Sequence, residues 1–208
     1  MTFIKICGIT RPDDARRAAE LGAQALGLNF FAGSKRVVSI DQAIAIARAV
    51  PAFVWLVGVF VNASNQVIER TVRAVGLHAA QLHGHESPEQ VTQLRARGLT
   101  TLKALHLGNA PVASGAFASA SALVLDAAQP GYGGGGARFD WKLARAFTKQ
   151  RQVLLAGGLT PQNVAEAVRA VRPFGVDVAS GLERSPGIKD SRRMAAFIRA
   201  GRTQESRR

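Results

Sequence analysis

Val153-Leu154-Leu155-Ala156-Gly157-Gly158-Leu159-Thr160-Pro161 reads as a buried strand that stops at two glycines and passes the chain to a helix. Successive apolar residues without alternation suit a strand covered on both faces, as in a parallel sheet. Thr160 and Pro161 have the chemistry of a helix N-cap and first helical position. Val164, Ala167, Val168 and Val171 then recur at helical spacing. These residues make one strand–loop–helix unit.

The unit repeats from end to end. Further strand-like runs are Phe3–Cys7, Ala25–Phe30, Phe53–Val61, Ala79–Leu82, Thr101–His106, Ala122–Leu125 and Gly175–Val178. Helix starts stand at Ser39-Ile40-Asp41 and Ser87-Pro88-Glu89, and Asp190 caps a last helix with the apolar stripe Met194, Phe197 and Ile198. Eight strands alternating with about eight helices give either a closed (β/α)8 barrel or an open doubly wound sheet. No Gly-x-Gly-x-x-Gly fingerprint follows the first strand, which argues against the open dinucleotide fold. The expected fold is therefore α/β, a single (β/α)8 TIM barrel over residues 1–200, with 201–208 as a basic, frayed tail. At 208 residues its loops must be short. Gly131–Gly136 is read as a loop inside the domain.

Composition narrows the function. Hydrophobic residues make up 47% of the chain, enough for a sizeable core, and no apolar run reaches the roughly 20 residues of a membrane span. No signal pattern stands at the N-terminus, and one cysteine cannot form an intramolecular disulfide, so a cytoplasmic protein is expected. One cysteine and four scattered histidines give no structural zinc pattern. The net charge of +13 raises the question of nucleic acid, but the cations are spread along helices and not interleaved with aromatics. A small anionic ligand is favoured over nucleic acid.

In a barrel the active site lies at the carboxyl ends of the strands. That rule selects Cys7, Arg36, Asn62, His83, Asp126, Gly157-Gly158, Asp177 and Ser180-Gly181. Gly157-Gly158 and Ser180-Gly181 place small residues before helical turns, where backbone N–H groups can cradle a phosphate; a plain tight turn is the alternative. Cys7 is either inert core or, with Gly8 turning the strand outward, a thiol able to abstract a proton from carbon. Asp126 is a cap, an ion-pair partner or a general acid. Arg36 is a solvated loop residue or a bidentate carboxylate ligand, and His83 orients a ligand or is a satisfied core histidine. His78, His85 and His106 are read as surface or packing residues.

With these residues in view the chain resembles the phosphoribosylanthranilate isomerase family of tryptophan biosynthesis. The segments that carry the resemblance include Lys5-Ile6-Cys7-Gly8-Ile9-Thr10, Val57-Gly58-Val59-Phe60-Val61-Asn62, Gln81-Leu82-His83-Gly84 and Leu125-Asp126-Ala127. Leu155-Ala156-Gly157-Gly158-Leu159, Asp177-Val178-Ala179-Ser180-Gly181-Leu182-Glu183 and Pro186-Gly187-Ile188-Lys189-Asp190 follow in order. The resemblance implies an Amadori rearrangement of a phosphosugar without metal or cofactor. It implies Asp126 as general acid, Cys7 as general base, Arg36, His83 and Asp177 as substrate-binding, and Gly157, Gly158, Ser180 and Gly181 as phosphate-binding. A monomer is expected over a homodimer. Lys35 stands where the family has proline and Gly135 where it has threonine, which implies a looser Arg36 loop and a more mobile lid, with activity kept.

Two related phosphate-binding barrels fit less well. Indole-3-glycerol phosphate synthase would need an extended N-terminal segment and a strand lysine as catalyst, and ribulose-phosphate epimerase would need paired carboxylate and histidine metal ligands. A non-catalytic binder of phosphate or nucleic acid would have no need for Cys7 and Asp126.

Overall fold

The computed structural model describes residues 1–107, 115–127 and 141–202. The Gly131–Gly136 loop and the tail from 203 onward lie outside the described residues. Parallel strands β1 (Phe3–Cys7), β2 (Ala25–Asn29), β3 (Trp55–Phe60), β4 (Ala79–Leu82), β5 (Thr101–Leu107), β6 (Ala122–Ala127), β7 (Val153–Leu155) and β8 (Gly175–Val178) follow one another around a closed barrel. Closure is made by β1, which pairs with β8 as well as β2. Outside it lie α1 (Pro12–Glu20), α2 (Ile40–Arg48), α3 (Asn65–Val75), α4 (Pro88–Ala96), α5 (Trp141–Thr148), α6 (Val164–Val171) and α7 (Ser191–Arg202). The expected barrel is thus the observed one.

Strand periodicity sorts the side chains into two cores. Ile4, Ile6, Leu26, Leu28, Leu56, Leu82, Leu125 and Val176 pack outward beneath the helices. Ala25, Val57, Ala79, Leu102, Ala104, Val124, Leu154 and Ala156 form a second cluster, which fills the barrel. Residues that alternate with the outward set must face inward. Lys5 and Cys7 alternate with Ile4 and Ile6, and His106 and Asp126 are register partners on β5 and β6. A layer of polar groups therefore sits above the small apolar residues that plug the barrel.

Helix starts follow the sequence signals in most places. Ser39 makes a reciprocal capping box with Gln42, Ser87 accepts from the Gln90 N–H at 3.2 Å, and Asp190 Oδ1 accepts from Arg192 and Arg193 N–H groups. Each such cap contributes about 1 kcal/mol. Thr160-Pro161 differs: α6 begins only at Val164, because Asn163 and Val164 both donate to the Thr160 carbonyl and close a separate turn first. Phe53 differs too, being 96% exposed and two residues short of β3, where Val54 N–H folds back on the Pro51 carbonyl. Seven α-helices, not eight, stand among the described residues, and the described part of the β5–β6 connection is a turn over 115–119. Beyond β8 the chain makes a 3-10 turn (Ser180–Leu182) and a short antiparallel hairpin, β9 (Glu183–Ser185) with β10 (Ile188–Lys189), which no periodicity announces. Among the described residues no helix is long and apolar enough to cross a membrane.

Candidate active site

The rim at the carboxyl ends of the strands is built first around β1 and β8. Lys5 is wholly buried inside the barrel, and its Nζ donates to both oxygens of Asp177, its register partner, at 2.9 and 3.0 Å. Burial alone would depress the Lys5 ammonium, but Asp177 and Cys7 outweigh it and hold its pKa above the ordinary value. Two residues further along, Cys7 ends β1 half-buried, with its Sγ lying over Gly27 of β2. A Cβ at Gly27 would come within 2.6 Å of that sulfur, so the neighbouring strand makes room for the thiol. Gly8 then leaves the strand at a φ of +71°, a left-handed conformation that makes the outward turn expected of it. Burial, reinforced by Asp177, pushes the Cys7 thiol up, against the opposing pull of Lys5 and Lys189.

Arg36 lies in the loop after β2, its stem filling the space over Gly8. The loop that has Lys35 in place of proline is fastened by Ser34, whose hydroxyl accepts from the Arg36 N–H at 3.1 Å. Arg36 grips a carboxylate bidentately, as its chemistry suggested, but that carboxylate is the protein's own Glu183: Nε–Oε1 is 2.8 Å and Nη2–Oε2 is 2.7 Å. Glu183 also accepts from buried Lys189 at 2.8 Å, and Lys189 donates to the carbonyls of Cys7 (2.6 Å) and Ala179 (3.1 Å). Burial works to raise the Glu183 pKa, yet the Arg36 and Lys189 contacts prevail and hold it below the usual carboxylate range. Lys189 goes the other way, its charge disfavoured chiefly by burial. Neither Glu183 nor Lys189 was singled out from the sequence, because each meets the site through tertiary contacts of the hairpin after β8.

On the opposite arc stand His83, His106 and Asp126. Asp126, next to last in β6, is nearly buried, and its Oδ2 lies 3.6 Å from His83 Nε2. His83 Nδ1 is 2.9 Å from the side-chain amide of Gln81, itself fully buried. The His83 and His106 rings meet edge-on at 5.2 Å. His106 is therefore not a surface residue: it faces the barrel mouth, and burial followed by the neighbouring His83 lowers its pKa. His78 does serve packing, stacking on Trp55 and accepting the Leu56 N–H at its Nδ1. Asn62, at the end of the third strand run, adopts a φ of +53° and takes the His85 N–H on its side-chain oxygen at 2.7 Å.

The loops after β7 and β8 close the ring. Gly157 and Gly158 both have positive φ, at +80° and +62°. Asn163 pins this loop, donating to the Gly158 carbonyl and accepting from Thr160 N–H, each at 2.8 Å. Among the described residues the N–H groups of Gly157, Gly158, Ser180 and Gly181 take no partner. Four unused donors on two adjacent loops suit an anion. The loops touch each other: any Cβ on Gly181 would overlap the Leu159 carbonyl oxygen. Gly181→Ala is expected to cost about 1–3 kcal/mol in urea unfolding and to raise the KM of a phosphorylated substrate more than it lowers kcat. An unchanged KM would take Gly181 out of anion binding.

Comparison with known proteins agrees with this fold. The family model described as N-(5'phosphoribosyl)anthranilate (PRA) isomerase matches residues 4–200. An N-(5'-phosphoribosyl)anthranilate isomerase of Myxococcus xanthus is 48% identical over 206 residues, 96% of either chain. The crystal structure of phosphoribosyl anthranilate isomerase from Thermus thermophilus superposes with a TM-score of 0.87 at 38% identity, over 96% of this chain and 98% of that one. Another phosphoribosyl anthranilate isomerase, solved in complex with reduced 1-(o-carboxyphenylamino)-1-deoxyribulose 5-phosphate, superposes at 0.83 with 37% identity, over 97% of this chain and 98% of its own. Family model, sequence and fold agree over nearly the whole length, and the chain belongs to the N-(5'-phosphoribosyl)anthranilate isomerase family.

Proposed function

We propose that the protein converts N-(5-phosphoribosyl)anthranilate to 1-(2-carboxyphenylamino)-1-deoxyribulose 5-phosphate, in tryptophan biosynthesis. The observation that carries this reading is the convergence on one rim of a half-buried thiol, a nearly buried carboxyl and two loops of unused N–H donors. Asp126 gives its proton to the furanose ring oxygen as the ring C–O bond breaks, and the anthranilate nitrogen lone pair forms the Schiff base. Cys7 then takes the proton from C2′, and the resulting enolamine tautomerises to the ketone. The Gly157-Gly158 and Ser180-Gly181 loops hold the phosphate. Arg36 has its Nε and Nη2 edge engaged by Glu183 and presents Nη1 to the anthranilate carboxylate. Asp177, fixed by Lys5, accepts from the anthranilate nitrogen, and His83 orients the substrate beside Asp126. Every group in this scheme comes from one chain, which suits a monomer acting on a freely diffusing phosphosugar in the cytoplasm.

The scheme needs one proton on Asp126 and none on Cys7. Burial disfavours the thiolate, so in the substrate-free enzyme the sulfur keeps its proton at neutral pH. Lys5 and Lys189 reduce that cost when the thiolate forms. A pH–rate profile reports only the proton count of the pair, whereas alkylation reports the sulfur itself. Iodoacetamide labelling of Cys7, followed by mass spectrometry, is expected to quicken about tenfold per pH unit through neutrality. It should level off only above the ordinary thiol value of about 8.5. Rapid, pH-independent labelling at pH 7 would show a thiolate already formed and refute this ionisation. The function itself is tested by following the loss of phosphoribosylanthranilate fluorescence with purified protein; absence of turnover ends the isomerase reading.

A further inference from the structure

We propose that His83, His106 and Asp126 form a binding site for a first-row transition-metal dication such as Zn2+, Ni2+ or Co2+, and that its occupancy switches the enzyme off. The three residues come from the ends of adjacent strands, with one ligand atom each, and these atoms all lie within 4.8 Å of one another. Bonds of about 2.0–2.1 Å to nitrogen and oxygen in a tetrahedral zinc site put neighbouring ligand atoms roughly 3.3 Å apart. His83 Nε2 and Asp126 Oδ2, at 3.6 Å, already stand near that spacing. Modest closure of the His106 ring completes one face of a tetrahedron and leaves the fourth position for water.

An independent observation points the same way. His83 Nε2 and His106 Nδ1 are both buried and make no hydrogen bond among the described residues. A buried polar atom left unsatisfied costs about 1–3 kcal/mol, and one cation between the two rings answers both. The next layer of contacts is suited to the same state. Gln81 is fully buried with its Oε1 unpartnered, while its Nε2 faces His83 Nδ1 at 2.9 Å. Half a turn of that amide places Oε1 against an Nδ1–H, which fixes the tautomer with its lone pair on Nε2. A metal-bound histidine commonly donates its second N–H to such an acceptor. Two imidazoles and one carboxylate favour borderline ions over Mg2+ or Ca2+, whose sites are built from oxygens.

Sequence spacing gives no hint of the group, since successive members stand 23 and 20 residues apart; the barrel register makes His106 and Asp126 neighbours. A carboxylate that coordinates a cation cannot at the same time hold the proton needed for ring opening. Metal and substrate chemistry therefore exclude each other at Asp126. The inhibitory half of the proposal rests on Asp126 as general acid; the binding half does not.

The test is titration of the chelator-treated full chain with CoCl2, read by visible absorption, with Zn2+ then competing for the site. One equivalent of Co2+ should give the intense bands of a four-coordinate ion. His106→Gln and His83→Gln should each weaken binding by at least about tenfold, while their thermal unfolding midpoints show that both variants remain folded. Zn2+ should abolish wild-type turnover over the concentration range in which it displaces Co2+, and a chelator should restore it. At those concentrations His106→Gln should keep its own uninhibited rate. Absence of the bands, or binding indifferent to both substitutions, overturns the site. So does a thiolate-to-cobalt charge-transfer band that vanishes in Cys7→Ser, since it would place the ion on Cys7. Binding at the three residues without inhibition overturns the switch. A metal-free enzyme that takes Co2+ there yet never consumes substrate supports the site and sinks the isomerase reading instead.

Discussion

Cys7→Ser and Asp126→Asn are each expected to lower kcat by about 10²–10⁴-fold, the usual contribution of a positioned acid or base. Serine fits the space over Gly27 that accommodates the sulfur, so the fold and the neighbouring Lys5–Asp177 pair should survive. What changes is the basicity: a serine hydroxyl ionises far less readily than even a thiol raised by burial, and C2′ keeps its proton. Asparagine matches aspartate in shape and removes the transferable proton. Both substitutions should therefore leave KM close to that of wild type, because they act on steps after binding. The double variant should be little worse than either single one, since the acid step is useless without the base step. Circular dichroism and unfolding midpoints check the fold, and the fluorescence assay reads kcat. Wild-type kcat in either variant removes that residue from the mechanism.

The barrel was legible because its cause is local and repeated. Runs such as Leu123-Val124-Leu125 and Val153-Leu154-Leu155 are short, apolar at every position and bounded by turn residues, as a strand covered on both sides requires. Because a barrel carries its active site at the carboxyl ends of its strands, Cys7, His83, Asp126 and Asp177 could be placed on one rim from strand ends alone. The errors lie where hydrophobicity and burial part company. Phe53 extends an apolar run yet stands in water, because the chain turns at Pro51 before β3 begins.

The missing site residues share another cause. Lys5 finds Asp177 across 172 residues of sequence, and Arg36 finds Glu183 across 147. A lysine inside a strand reads as an edge or solvent-facing residue until barrel closure sets a carboxylate beside it. His106 was dismissed for the same reason, since its neighbours come from β4 and β6. Asn163 was not singled out from the sequence, yet from the N-cap of α6 its side chain pins the glycine loop. Position along the chain told which end of the barrel each group occupies, but not which partners it meets there.

Glu183→Gln should destabilise the protein by about 3–5 kcal/mol, the cost of leaving a buried charge without its partner. Lys189 is 1% exposed, and its remaining acceptors are all neutral: the carbonyl oxygens of Cys7 and Ala179 and at most the glutamine amide oxygen. Neutral oxygens can orient an ammonium but cannot neutralise it, and burial already disfavours its charge. Arg36 loses its bidentate, charge-assisted grip as well, since glutamine leaves it at most one neutral acceptor, though at the site's rim it can turn to water. The effect has a pH signature. Because the Glu183 pKa is depressed in the folded state, its stabilisation is complete above the unfolded carboxylate value of about 4.3 and is lost as pH falls through the folded one. Urea unfolding at neutral and acid pH should thus show wild type converging on the variant as pH drops. Catalysis should suffer too, since Lys189 Nζ holds the Cys7 carbonyl at 2.6 Å and with it the end of the strand that aims the thiol. The decisive comparison is the pair Glu183→Leu and Lys189→Met, singly and together. If the penalty comes from one charge left buried alone, the double variant should recover much of the stability that either single variant loses, while activity stays low. Simple additivity of the two losses would mean that each residue contributes through packing, and the electrostatic account of the hairpin would fail.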